Sequence, residues 1–446
     1  MEADLRGAVE RVLPSVRADL DRLVRIPSVS ADPAAADAVR ACADAVAELA
    51  RGAGATSVDI HSADGGGPAV IARWPAPAGM PTVLLYAHHD VQPTGDPAEW
   101  TSPPYEPTER GGRLYGRGAA DDKAGVMAHV ATLRAFDGRP PVGVTLFVEG
   151  EEEIGSSTFP TFLQTYQDLL AADVVVVADS VNWTIETPSL ATSLRGLVDC
   201  VVEVRVLDHA VHSGMFGGPV IDALTSLCRL LATLHDDNGD VAVAGLVRRE
   251  RAEVDYPEFR FREEAGVLDG VQLSGSGSIG DRMWNRPAVS VIALDATRVV
   301  DAANILVPVA RAKVSLRVVP GEDPRSALDL LKAHLMAHAE HGARVTITDG
   351  STGPPCQLET SGPGFGAARE AFTDAFGNPP VEVGLGGTIP FIAEYAATFP
   401  DATVLVTGVE DPDSRAHGVD ESLHLEQFGK VCLAETLLLD RLSQRS

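Results

Sequence analysis

Imidazole and carboxylate groups recur in this chain at places where strand-like segments end. His88, His89 and Asp90 follow the apolar run Thr82–Ala87, Glu151, Glu152 and Glu153 come just after Val144–Val148, and Asp179 follows Val174–Ala178. His417 lies one loop beyond a fourth run, Thr403–Thr407, and the adjacent acids Asp121 and Asp122 stand behind a glycine-flexed turn, Gly116-Arg117-Gly118. Nitrogen and oxygen ligands without thiolates suit a divalent cation, and a carboxylate left over beside such a site can carry a proton to or from water. In an open α/β sheet the ligand crevice lies beyond the carboxyl ends of the strands, so residues just past buried strands converge there.

Each signal also has a plainer explanation. Acids at a helix start are explained by capping and the helix dipole, and a His-x-Asp triplet arises often by chance. The glutamate cluster would be an exposed helix start if its strand ended at an edge. What favours a site is the repetition of one polarity, acid or imidazole after apolar strand, together with the repulsion that crowded acids suffer unless a cation compensates them. Adjacent glutamates can divide the work, one holding metal and its neighbour moving protons. A carboxylate at Asp90 can fix the proton and ring orientation of His88. His89 points to the opposite face if the strand period continues, and is read as a loop or core histidine.

The elements that position these groups follow from hydrophobic periodicity. Helices are expected over about 4–23 and 33–51, then strands at Val58–Ile60, Ala69–Arg73 and Thr82–Ala87, a helix from Asp122 to Phe136, and strands ending at Val148 and Ala178. The runs that carry the site are almost wholly apolar rather than alternating, the pattern of strands covered on both faces. The fold class is therefore α/β, a mostly parallel sheet flanked by helices. After Ser193 the order becomes βαββαβ: strands at Leu197–Val206, Ser290–Leu294, Val314–Val319 and Ala343–Thr348, with helices at Pro219–Leu234 and Pro324–Ala339. This is a ferredoxin-like α+β plan, with loops and short helices expected between Asp236 and Arg286. The Gly366–Phe376 helix and the strand at Val404 then resume the first pattern. The first domain is thus expected to be discontinuous, 1–192 with 353–446, and the second, 193–352, inserted into it.

Composition excludes several classes. The chain has 446 residues, 45% hydrophobic and 22% charged, ordinary for a folded globular protein. A formal net charge of −27 argues against nucleic acid and anionic membrane surfaces. No stretch approaches the roughly 20 apolar residues of a membrane span, and the first residues lack a secretory pattern, so the cytoplasm is the expected compartment. The five cysteines are scattered without a CxxC spacing, and are read as small buried hydrophobes rather than disulfides or zinc ligands.

The strings Tyr86-Ala87-His88-His89-Asp90-Val91-Gln92-Pro93, Asp121-Asp122-Lys123, Glu151-Glu152-Glu153-Ile154-Gly155-Ser156, His212-Ser213-Gly214, Gly386-Gly387-Thr388-Ile389-Pro390 and Ala416-His417-Gly418 together resemble the co-catalytic zinc peptidase family. That family contains carnosinase-like dipeptidases, glutamate carboxypeptidases and deacylases of acetylornithine and succinyl-diaminopimelate, and the likeness is strongest to the dipeptidase branch. The resemblance implies that His88, Asp121 and Asp179 hold one metal and Asp121, Glu153 and His417 the other, with Asp121 bridging. Asp90 would orient His88, and Glu152 would be the general base and acid. His212 would steady the oxyanion in a partner subunit's active site. Arg317 would receive the substrate carboxylate, with Asn304 and Thr388 nearby. It also implies a homodimer formed through the inserted lid domain. An aspartate at position 179 accompanies dipeptidases and aminopeptidases in this family. One departure stands out: the dipeptidases usually carry Arg-Glu before Gly-Gly, the glutamate lying near the substrate amino group, whereas this chain has Gly384-Leu385.

The resulting expectation is a metal-dependent hydrolase that cleaves the amide bond of dipeptides or similar small carboxylate-bearing substrates. Two divalent ions, zinc or its substitutes manganese and cobalt, would activate the attacking water. The alternatives are an N-acyl amino acid deacylase or carboxypeptidase of the same family, favoured by Leu385 and disfavoured by Asp179, and a metal-binding protein without catalysis. The spare base Glu152 argues against the last.

Overall fold

A computed structural model describes residues 2–63, 65–249, 252, 254–387 and 389–444. Thr388, expected near the substrate, lies outside the described residues. The chain divides into two compact units. The first comprises Met1–Thr192, Leu358–Glu382 and Ile389–Ser446, and the second Ser193–Gln357 with Val383–Thr388.

The first unit is built on a six-stranded sheet: β1 (Ser57–His61), β2 (Ala69–Trp74), β3 (Thr82–His88), β4 (Gly143–Glu149), β5 (Val174–Val177) and β6 (Thr403–Val406). Its order is β1-β2-β4-β3-β5-β6. β4, β3, β5 and β6 run parallel, while β1 and β2 add an antiparallel edge. β4 and β5 are buried at every residue and β3 at all but its first, as strands covered on both faces must be. The helix Lys123–Ala135 is apolar nearly all round because it is enclosed: every residue but Arg134 is buried. The helices Glu2–Val24 and Leu425–Gln444 pack against it, and Leu425–Gln444 also packs on Pro363–Phe376.

The second unit carries a four-stranded antiparallel sheet. Ala288–Asp295 is at one edge, then Val309–Val318, Gly196–Arg205 and Arg344–Gly353. Val198, Cys200, Val202 and Val204 alternate along one strand and Ala310, Ala312, Val314, Leu316 and Val318 along its neighbour, giving one apolar face. The helices Ala223–Ala232 and Pro324–Ala337 cover it through Leu227, Leu230, Leu331 and Leu335. The first helix is shorter than the apolar pattern over 219–234 predicts. Asp222 accepts the Thr225 N–H and caps it there, so Pro219–Ile221 remain outside. Between Asp236 and Arg286 the described residues form loops with a short helix, Glu258–Glu264, and a helical turn, Asp281–Asn285.

Candidate metal centre

His88 is the last residue of β3, Asp121 immediately precedes the Asp122-capped helix, Asp179 lies two residues beyond β5, and His417 is in the loop after β6. These strand ends bring two clusters together, His88–Asp121–Asp179 and Asp121–Glu153–His417. His88 Nε2 stands 3.0 Å from Asp121 Oδ1 and 3.9 Å from Asp179 Oδ1. His417 Nε2 stands 2.9 Å from Asp121 Oδ2 and 3.3 Å from Glu153 Oε2. One carboxylate therefore presents one oxygen to each imidazole. Ligand atoms about 2.0–2.2 Å from a shared tetrahedral ion stand roughly 3.3–3.6 Å apart, and the observed separations bracket that range. The donor set, imidazole and carboxylate with no thiolate, fits zinc or a similar divalent ion.

A ring of hydrogen bonds holds these groups. His88 Nδ1 faces Asp90 twice, at 3.0 Å from its carbonyl and 3.4 Å from its Oδ1. Asp90 Oδ2 accepts the Glu153 N–H, so Asp90 positions residues of both clusters. Glu153 is further fixed by Gln92, whose backbone N–H and side-chain amide both donate to its carboxylate. The paired acids divide their tasks. Asp121 enters the clusters, while Asp122 caps the helix at Gly125 N and accepts the backbone N–H of His88. Capping and a place in the candidate metal clusters thus fall to different members of this pair. The three glutamates divide likewise. Glu151 turns away and accepts from Gly67 N, Thr158 N and Thr158 Oγ1, while Glu153 joins the second cluster and Glu152 belongs to neither. His89 faces away, its Nε2 at 2.7 Å from the Pro68 carbonyl.

A buried ion pair joins the loops bearing Asp121 and His417. Glu421 Oε1 accepts the N–H groups of Ala120 and Asp121, and its Oε2 accepts Arg117 Nη1 at 2.6 Å. Arg117 Nη2 donates to the carbonyls of Pro93 and Gly418. His417 itself sits at φ +63°, with Arg415 and Asp420 also at positive φ. A non-glycine residue held there stores backbone strain that its surroundings must offset. Arg117 stood out only as part of the Gly116-Arg117-Gly118 turn and Glu421 not at all, because partners 304 residues apart leave no local pattern. Glu410 was also missed. It is buried four residues beyond β6, where the strand-end rule would have found it.

The electrostatics mark a surplus of negative charge. Burial, with the charges of Asp121 and Glu153, pushes the Asp179 carboxyl up to about 7. Burial, followed by the charges of Asp179, Glu149 and Glu153, holds Glu152 well above the usual carboxylate range. Hydrogen bonds to Asp121 and Glu153 push His417 up to about 11. Burial, then Asp121 and Asp179, raises Glu410 as well. Divalent cations would supply the positive charge that this group of acids lacks.

The remaining site candidates lie in the second unit. Val211–His212 pairs with Ile305–Leu306, and Ser213 N donates to the Asn304 carbonyl, so His212 and Asn304 share one two-stranded ribbon. His212 is exposed and its Nδ1 accepts the Gly214 N–H. Arg317 is half-buried in Val309–Val318, opposite Leu197 and Ala288.

Comparison with known proteins agrees with this geometry. The model of peptidase family M20/M25/M40 matches residues 84–440. A cysteinylglycine-S-conjugate dipeptidase of Corynebacterium striatum is 36% identical over 366 residues, 80% of each chain. The Cys-Gly metallodipeptidase dug1 of Schizosaccharomyces pombe is 27% identical over 92% of each. Among solved structures, the dipeptidase Dug1p of Saccharomyces cerevisiae superposes with a TM-score of 0.86 at 22% identity, covering 100% of this chain and 99% of the other. Human carnosine dipeptidase 1 gives 0.85 at 22%, over 99% of both chains. The fold is theirs. The chain belongs to peptidase family M20/M25/M40 and is a metal-dependent hydrolase.

Proposed function

We propose that this chain is a dipeptidase that holds two divalent ions, zinc by preference with manganese or cobalt as workable substitutes. The observation that carries the reading is Asp121, whose two oxygens each face a separate imidazole-centred cluster. His88, Asp121 and Asp179 would hold one ion and Asp121, Glu153 and His417 the other. When bound, such a pair polarises the scissile carbonyl and acidifies water toward neutral pH. Glu152, with its raised proton affinity and no side-chain hydrogen bond among the described residues, takes a proton from the attacking water and returns it to the leaving nitrogen. Asp90 keeps the His88 ring oriented, and Arg317 receives the substrate carboxylate. A panel of free dipeptides and their N-acetylated forms, assayed with added zinc or manganese, tests this. Free dipeptides are expected to be cleaved faster. Faster cleavage of the acetylated forms would make the chain a deacylase, as the absence of the usual glutamate at Leu385 would then explain.

The inserted unit is the proposed lid and dimerisation domain, with His212 steadying the oxyanion in the partner's site. The edge strand Ala288–Asp295 exposes Val291, Ile292 and Leu294, and Met215 and Val299 are 75% and 92% exposed. An uncovered apolar sheet edge of this kind favours pairing with another chain. Mixing an inactive His212→Ala variant with an inactive Glu152→Gln variant should restore activity, since one site of each mixed dimer then has both residues. A mixture that stays inactive while the subunits demonstrably exchange would contradict cross-subunit catalysis. The cytoplasm is the proposed compartment. The cysteines are free, and no helix among the described residues is long and apolar enough to cross a membrane.

A further inference from the structure

Arg195 stands one residue before the strand Gly196–Arg205 of the second unit, and its surroundings are unusual for a guanidinium. Register pairs Arg317 with Leu197 in the adjacent antiparallel strand. Arg195 is two residues from Leu197, so it shares that face and is the diagonal neighbour of Arg317, about 7–8 Å away at Cα in such a pair. Burial first, and then the charge of Arg317, pushes Arg195 down to about 10, while burial lowers Arg317. Among the described residues no carboxylate lies within ion-pair distance of Arg195 or Arg317, whereas nearby Arg286 has Asp240 at 3.6 Å.

The hydrogen bonding of Arg195 is incomplete as well. Among the described residues its buried Nε has no partner, and Nη1 reaches the carbonyls of Arg282 and Arg286 at 3.5 and 3.4 Å. Its backbone N–H donates to the Leu385 carbonyl. Its Nη2 lies 3.1 Å from where a β-carbon on Gly386 would stand, so the guanidinium runs along the Leu385–Gly386 backbone. That segment contributes no acid. Leu385 is apolar, and any side chain on Gly384 would come within 2.5 Å of the buried Trp284. Two like charges half-buried side by side, with donors unused, are costly unless an anion completes them. Guanidinium forks suit carboxylates.

We propose that Arg195 and Arg317 form one subsite for the two carboxylates of an acidic C-terminal residue, so that the enzyme prefers dipeptides ending in glutamate or aspartate. The assignment rests on the dipeptidase reading above and adds Arg195 as a specificity determinant. Ala-Glu and Ala-Gln differ in charge at nearly constant shape, and they provide the test with zinc-loaded protein. Wild type should favour Ala-Glu in kcat/KM by about tenfold or more, the yield of one charge-assisted hydrogen bond, with the difference mainly in KM. Arg195→Gln should lower kcat/KM for Ala-Glu by more than for Ala-Gln and so remove the preference, and Arg195→Lys should restore part of it.

Equal rates for the two dipeptides in wild type would overturn the proposal. So would an Arg195→Gln variant that loses activity on both equally, since Arg195 would then only brace the Arg282 and Arg286 carbonyls. Calorimetric binding of glutarate against butyrate reads the subsite without turnover. If no dipeptide is cleaved, the dipeptidase reading fails, and glutarate binding that is strong in wild type and weakened in Arg195→Gln would still uphold the anion subsite. Equal, weak binding of glutarate and butyrate to wild type would overturn it, including where Arg195→Gln does not fold.

Discussion

Replacing Glu152 by glutamine is expected to lower kcat by about 10²–10⁴-fold, the usual contribution of a positioned general acid–base, with bound metal unchanged. Glutamine keeps the shape and removes the ability to take up and return a proton. Glu152 makes no side-chain hydrogen bond among the described residues and is no member of either candidate ligand cluster, so its replacement leaves both intact. Its proton affinity is already raised by burial and by Asp179, Glu149 and Glu153. Elemental analysis beside steady-state kinetics separates the outcomes. Turnover near wild type would remove Glu152 from the mechanism, and loss of metal along with activity would make it a ligand instead.

Asp121→Asn is the second large effect. The carboxylate has an oxygen for each cluster, at 3.0 Å from His88 Nε2 and 2.9 Å from His417 Nε2. Asparagine keeps one oxygen and turns an N–H donor toward the other imidazole. At least one site should lose more metal affinity than the roughly 10–100-fold that removal of an outer hydrogen-bond partner costs. Activity should fall with it and should not return at zinc concentrations that saturate wild type. Competition with a chromophoric chelator measures the affinities. Two sites of unchanged affinity in the variant would mean that Asp121 bridges nothing.

Much of this candidate centre was legible in the sequence because the residues brought together obey a topological rule. Val174–Val177 and Thr82–Ala87 could only be strands buried on both faces, and such strands end at the crevice, which placed Asp179 and His88 beforehand. The split of the inserted domain into βαββαβ was legible for a related reason: alternation with period two in Gly196–Arg205 and Val309–Val318 marks a sheet with one covered face. What could not be read is how neighbouring acids share tasks. Nothing in Glu151-Glu152-Glu153 tells that Glu151 turns to Gly67 and Thr158, because the 3-10 turn at Glu152–Ile154 that separates the three has no helical or strand period. The Arg117–Glu421 pair was hidden by its sequence separation. The lack of a carboxylate partner for Arg195 among the described residues was hidden too, since what surrounds a side chain is a property of three-dimensional packing.

The central claim is that two cations share Asp121. Titrating chelator-treated protein with zinc while following both calorimetric heat and hydrolysis of a dipeptide tests it most directly. Full activity should return as binding saturates at two equivalents per chain. Saturation at one equivalent with full activity, or full activity before any metal is added, would contradict it.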